Sequence, residues 1–163
     1  MRFSSSQLER LFVTHQRAFF VAALSITRSR AAAEDAVHDA LLAVASVATE
    51  PDDLKAYVFR VIRNKALLFL KQGRMASANQ TDLEFIARDS LDKLDSEQTV
   101  FITQALKQLE TLELHHQQVL IMKIFADLSF REIAEIMDSP LNTVTSWYRR
   151  GLKQLQEKLD EHV

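Results

Sequence analysis

Seven residues near the C-terminus, Asn142, Thr143, Thr145, Ser146, Arg149, Arg150 and Lys153, have the side chains and spacing to read a nucleic acid. They fall outside the apolar positions Leu141, Val144, Tyr148, Leu152, Leu155 and Leu159, which recur every three or four residues and predict one helix with a buried stripe. Short hydrogen-bonding side chains in the first turns, with arginines behind them, suit a helix laid in the major groove. Its leading turns meet base edges while Arg and Lys meet phosphates. The plain alternative is a helical hairpin with an ordinary solvated face.

A second cationic group lies upstream. Residues 54–75 hold Lys55, Arg60, Arg63, Lys65, Lys71 and Arg74 and no acid. At 100° per residue, Arg60, Arg63, Lys71 and Arg74 fall within about 80° of arc, with Asn64 at the border, which predicts a continuous positive stripe. Such a stripe attracts a phosphate backbone, and Tyr57, Phe59 and Phe69 offer rings for unpaired bases. Tyr57 and Phe69 are expected in the core instead.

Catalytic chemistry finds no such support, so we expect no enzyme, no catalytic residue, no metal and no cofactor. His115 and His116 point about 100° apart on a helix and have no carboxylate at ligand spacing. Asp35 and Asp39, four apart, fit a solvated helix face, and His15 sits on an apolar stripe as a packed imidazole. There is no glycine-rich phosphate loop and no cysteine.

The elements that must carry these groups are helices. Two glycines and two prolines in 163 residues leave too few breakers for several short strands. Ser6-Gln7-Leu8-Glu9 has the form of a capping box and opens a helix over about residues 7–26, with Leu8, Leu11, Phe12, His15, Phe19, Ala22 and Ile26 on one face. Ser29 caps a second helix that buries Ala33, Ala36, Val37, Ala40, Leu41 and Val44. Pro51, followed by Asp52 and Asp53, suits the first turn of a third, ending at Gly73. Helicity resumes near Asp95 with Phe101, Ile102, Ala105, Leu106, Leu109 and Leu112 on one face, and residues 116–125 are apolar nearly all round. Ser129 and Glu132 then form a capping box for a short helix, and Ser139 with Pro140 at the first helical position starts the last one. The product is helix, tight turn, helix.

Charge divides the chain in three. Residues 1–75 sum to +4, residues 76–99 to −4 and residues 100–163 to −2. The fold class expected is all-α, with two small helical bundles over residues 1–75 and 99–163 joined by a flexible acidic linker over 76–98. One weak helical turn is expected within it around Leu83 to Ile86. Glu9, Arg10 and Arg17 interrupt the N-terminal apolar stretch, and no eighteen uncharged apolar residues run together, so we expect no signal peptide, no membrane insertion and a cytoplasmic location.

Two sets of motifs resemble one family. Glu34 to Leu41 (EDAVHDAL) and Ala56 to Asn64 (AYVFRVIRN) are similar to the second-region helices of the small two-domain, extracytoplasmic-function (ECF) sigma factors of RNA polymerase. Val119-Leu120, Leu128-Ser129, Glu132 to Met137, Thr143 to Ser146 and Arg150 resemble their fourth region, and the order and spacing agree over nearly the whole chain outside residues 76–99. The resemblance implies a transcription initiation factor that binds core RNA polymerase through Asp35, His38, Asp39 and Leu41 and directs it to promoter DNA with both bundles. It admits an anti-sigma factor as a further partner. Thr145 stands where the family commonly has Lys, Trp147 where it has Arg, and Asp138 where it has Gly. Thr145 and Trp147, together with the departure at Gln72-Gly73, keep a sigma-like adaptor that binds polymerase or a regulator without efficient promoter recognition as the alternative.

Overall fold

The computed structural model describes residues 4–72, 104 and 107–161. The expected linker, the turn at 83–86, Gly73, Arg74, Phe101, Ile102, Ala105 and Leu106 lie outside the described residues. Among those described, the elements are α1 (Ser5–Thr27), α2 (Arg30–Ala45), α3 (Leu54–Lys71), α4 (Leu114–Ile124), α5 (Phe130–Ile136) and α6 (Leu141–Glu161). Every regular element among them is helical, as the scarcity of breakers predicts.

The helices start where short polar side chains can satisfy free amides. α1 begins earlier than expected, because Ser4 and Gln7, not Ser6 and Glu9, form the capping box: Gln7 N–H donates to Ser4 Oγ (3.2 Å) and Ser4 N–H to Gln7 Oε1 (2.8 Å). Four residues from Ser4 to Gln7 satisfy the same Ser-x-x-Gln rule two positions upstream, which lengthens the helix. Ser29 caps α2 as expected, accepting from Ala32 N–H. Pro51 is not in the first turn of α3. Asp53 caps the helix and Leu54 opens it, the Asp53 Oδ1 accepting from Ala56 N–H at 3.1 Å, so Pro51 stands two residues ahead of the cap.

α1, α2 and α3 pack together in one bundle and α4, α5 and α6 in another. In the first, Phe19 meets Phe59 edge-on with ring centroids 4.8 Å apart, beside the buried Leu24, Val37 and Ile62. Ala33, Ala36 and Ala40 are buried on α2, where their small size lets α2 lie close to its neighbours. Leu41 is only half-buried, and Leu42 is 57% exposed. In the second bundle Leu120, Ile121, Leu128, Ile133 and Val144 are fully enclosed. Leu109 and Leu112 are buried as predicted.

The bundles also pack on each other, α1 against α4 and α3 against α5. This explains why the C-terminal half of α1 is buried beyond its predicted stripe, with Val21, Ala23, Leu24, Ser25 and Thr27 enclosed as well as the predicted Ile26. Periodicity read from one helix cannot see a neighbour that covers its second face.

Candidate nucleic-acid interface

α6 is set by the turn before it. Asp138 adopts φ 49°, Ser139 N–H donates to Ala134 O (3.0 Å) and Asp138 N–H to Glu135 O (3.3 Å), the paired bonds of a Schellman motif that closes α5. Asp138 therefore takes the left-handed conformation that glycine otherwise supplies. The expected side-chain cap at Ser139 is not made. Its hydroxyl donates back to Met137 O, and Pro140 supplies the carbonyl that accepts the first helical bond, from Val144 N–H at 3.1 Å. Pro140 is thus one position ahead of its predicted place but still blocks continuation of α5.

α6 buries Val144, Gly151 and Leu155 and half-buries Tyr148, Leu152 and Leu159. Leu141, expected in the core, is 41% exposed because it occupies the first turn beyond the edge of the bundle. Gly151 was absent from the predicted stripe, although it stands seven residues after Val144 on the same face. A Cβ there would lie 3.1 Å from His116 Cβ and 3.2 Å from Leu120 Cδ1, so α6 and α4 approach closely at this point. Asn142, Arg149, Arg150 and Lys153 are exposed on the opposite side, and Thr143, Thr145 and Ser146 are half-exposed. The Thr145 hydroxyl donates to Asn142 O at 3.0 Å, which leaves its lone pairs to accept from outside.

Trp147 lies on the flank facing the start of α4. Its indole stacks on the His115 imidazole with centroids 4.6 Å apart and planes 5° from parallel. His115 Nδ1 is 2.8 Å from Glu113 Oε1, and His116 Nε2 is 3.4 Å from Glu113 Oε2. The two histidines therefore share a carboxylate that helix spacing alone did not offer, because Glu113 stands just outside α4 and folds back over its first turn. Among the described residues no cluster of His, Asp and Glu is arranged to hold a metal.

The stripe on α3 is not continuous. Arg60, Asn64 and Lys71 are exposed, but Arg63 is half-buried and its Nε donates to Gln118 Oε1 of α4 at 2.9 Å. Burial pushes the Arg63 guanidinium below its usual value, against the opposing pull of the nearby Asp138 carboxylate. Lys55 Nζ donates to Ala126 O (3.0 Å) and Arg28 Nη2 to Glu110 O (3.1 Å), so three cations of the first bundle reach into the second. The partners of Arg63 lie 55 and 75 residues away in sequence. No local pattern marks them, apart from the acid at a position that favours glycine. Phe59 and Phe69 are buried and Tyr57 half-buried, which leaves Phe59 and Phe69 no ring face for a base.

On the far side of the first bundle, Phe12 and Phe20 of α1 and Glu34, Asp35, Val37, His38 and Leu41 of α2 line a groove of about 360 Å³. It brings together an apolar floor and an acidic rim. Asp39, half-buried, stands next to it in sequence.

Two family models match this chain, Sigma-70 region 2 over residues 11–75 and Sigma-70, region 4 over residues 102–155. The chain belongs to the sigma-70 family, as an ECF-type sigma factor. It is 27% identical over 149 residues to the RNA polymerase sigma factor SigV of Bacillus subtilis (strain 168), covering 89% of this chain and 86% of that protein. Its fold is similar to that of the sigma factor RpoE in its complex with the anti-sigma factor NepR from Bartonella quintana, with a TM-score of 0.67 and 21% identity over 95% of this chain and 98% of the other. As a sigma factor the protein binds RNA polymerase and promoter DNA, and its family consists of non-enzymatic transcription factors. The first bundle carries the region 2 match and the second the region 4 match. No helix among the described residues is long and apolar enough to cross a membrane.

Proposed function

We propose a division of labour among the surfaces of this sigma factor. The α1–α2 groove, through Asp35, His38, Asp39 and Leu41, docks on core RNA polymerase. Arg60, Arg63, Asn64, Lys71 and Arg74 carry the region 2 share of promoter contact. In region 4, Asn142, Thr143, Thr145 and Ser146 meet base edges, while Arg149, Arg150 and Lys153 meet phosphates. The observation that carries this reading is the exposure of Asn142, Arg149, Arg150 and Lys153 on one side of α6, opposite the buried Val144, Gly151 and Leu155. Residues 1–75 and 99–163 act as two functional units, with 76–98 as an acidic tether that avoids DNA.

The protein has no catalytic activity of its own and works in the cytoplasm, where its polymerase and promoters are. An anti-sigma factor is a further partner, a reading supported by the likeness of the whole fold to a sigma factor solved with one. Run-off transcription with purified core polymerase on a library of promoter fragments tests the assignment. Defined starts that depend on this protein are expected. Polymerase binding without any defined start would instead favour an adaptor.

A further inference from the structure

Gly151 sets how near α6 lies to α4 but not how α6 is turned. A Cβ there would meet His116 Cβ at 3.1 Å and Leu120 Cδ1 at 3.2 Å, so α4 touches α6 along bare backbone. Glycine offers a neighbour no side chain to interlock with, and rotation of α6 about its own axis must be fixed by contacts to either side of that line. One such contact is aromatic: Tyr148, about 60° round the helix from Gly151, meets Phe130 of α5 edge-on with ring centroids 5.1 Å apart. On the other flank stand Trp147, one turn earlier and about 40° away, and Gln154, one turn later and about 60° away.

Both of these reach a histidine of α4, and both histidines reach Glu113. The Trp147 indole lies flat on the His115 ring, and Gln154 Oε1 is 3.1 Å from His116 Nδ1. Glu113 Oε1 is 2.8 Å from His115 Nδ1, and its Oε2 is 3.4 Å from His116 Nε2. Glu113 precedes α4 without capping it, since its side chain makes no bond to the free amides of the first turn. The side chain is 57% exposed, a setting in which an ion pair adds little to stability. What the carboxylate supplies is orientation: one group holds two rings against α6, one on each side of Gly151.

We propose that Glu113 is a positioning residue for promoter recognition, which through His115 and His116 fixes the rotation of α6 and so decides which side chains reach base edges. This rests on the assignment of α6 to base edges made above. A turn of about 15° carries a side-chain tip about 6 Å from the helix axis by about 1.5 Å. That is enough to break a hydrogen bond to a base. The long, exposed side chains of Arg149 and Arg150 can follow a phosphate through the same turn. Loss of Glu113 should therefore cost sequence discrimination rather than affinity for DNA as such.

Holoenzyme reconstituted from the full-length protein and core polymerase, offered a duplex library randomised in sequence, tests this when the bound fraction is sequenced. Asn142→Ala combined with Thr145→Ala marks the bases that α6 reads, as those whose enrichment it erases. At those bases Glu113→Ala should lower the preference for the enriched sequence by about fivefold, the weight of one net hydrogen bond, while binding of the unselected library keeps its salt slope. The free Glu113→Ala protein should melt close to wild type, and its Trp147 should become more accessible to acrylamide, as in His115→Ala, which uncovers the ring directly. Glu113→Gln keeps an acceptor before the rings and should retain most of the preference and of the shielding. If the Asn142→Ala, Thr145→Ala protein erases no enrichment, the assignment of α6 to base edges fails and the positioning role with it. If it does, but Glu113→Ala keeps the full preference or leaves Trp147 as shielded as in wild type, the positioning role alone is overturned. Equal loss in Glu113→Gln and Glu113→Ala would place the effect in charge at the start of α4 and overturn it as well.

Discussion

Replacing Gly151 with valine tests how closely the recognition helix is seated. The two nearest heavy atoms to a Cβ at this position are His116 Cβ at 3.1 Å and Leu120 Cδ1 at 3.2 Å, both inside the ordinary range of carbon contacts. Leu120 can turn its terminal methyl aside, but His116 Cβ is fixed to the α4 backbone, so α6 must retreat. Alanine adds only the Cβ. Its gain in helix propensity, about 1 kcal/mol over glycine, offsets a retreat of a few tenths of an ångström, and Gly151→Ala should melt close to wild type. Valine adds two more methyls in the same place with a lower helix propensity, and overpacking of this kind costs about 1 to 3 kcal/mol. Taking about 2 kcal/mol, the midpoint should fall by about 4 to 8 °C for a chain of this size. Thermal melts followed by far-ultraviolet circular dichroism measure it, and duplex binding should weaken in parallel because α6 no longer presents its outer side at the same depth. Melting of Gly151→Val at the wild-type temperature would mean that the α4–α6 seam is looser than the distances state.

Arg149→Ala or Arg150→Ala should weaken DNA binding and reduce the slope of log affinity against log salt by about 1 if the side chain meets a phosphate, measured by anisotropy over a salt series. Asp39→Arg should weaken core polymerase binding by about tenfold or more through charge reversal at a contact that loses water, and pull-down with purified core checks it. Asp53→Ala removes the α3 cap and should cost about 1 kcal/mol of region 2 stability at neutral pH. The Asp53 carboxyl is held below its ordinary value of 3.8, chiefly by hydrogen bonding with the Glu132 side chain, with Ala56 N–H and Lys55 also lowering it. Its contribution is therefore fully present above that value and lost as pH falls through the lower one, so the gap between Asp53→Ala and wild type should narrow progressively in melts taken as pH falls below 3.8.

The parts of this protein that were legible in sequence are those fixed by neighbours a few residues apart. Ser29, Ser129 and Glu132 cap their helices as predicted because a cap needs only the next turn, and the α2 alanines declare a buried face through spacing alone. The exposed arginines of α6 were found for the same reason. The misses have two physical origins. Where two starting registers are open, as Ser4 against Ser6 for the cap of α1 or Leu54 against Pro51 for the first turn of α3, spacing alone does not choose between them. Where a face is covered by a distant helix, periodicity is blind, and so Arg63 passed for part of an open stripe although α4 and the α5–α6 turn receive it. Trp147 belongs with these, since its partner His115 lies on another helix 32 residues back.

That stacked pair has a practical corollary. Trp147 is the chain's single tryptophan, so emission excited at the red edge, where the two tyrosines do not absorb, comes from one indole pressed flat against an imidazole at the edge of the recognition helix. An optical signal is thereby built into region 4. Any event that slides α6 along α4, or lifts the ring from His115, alters the colour and brightness of that emission, and promoter engagement can be watched in real time without attaching a dye.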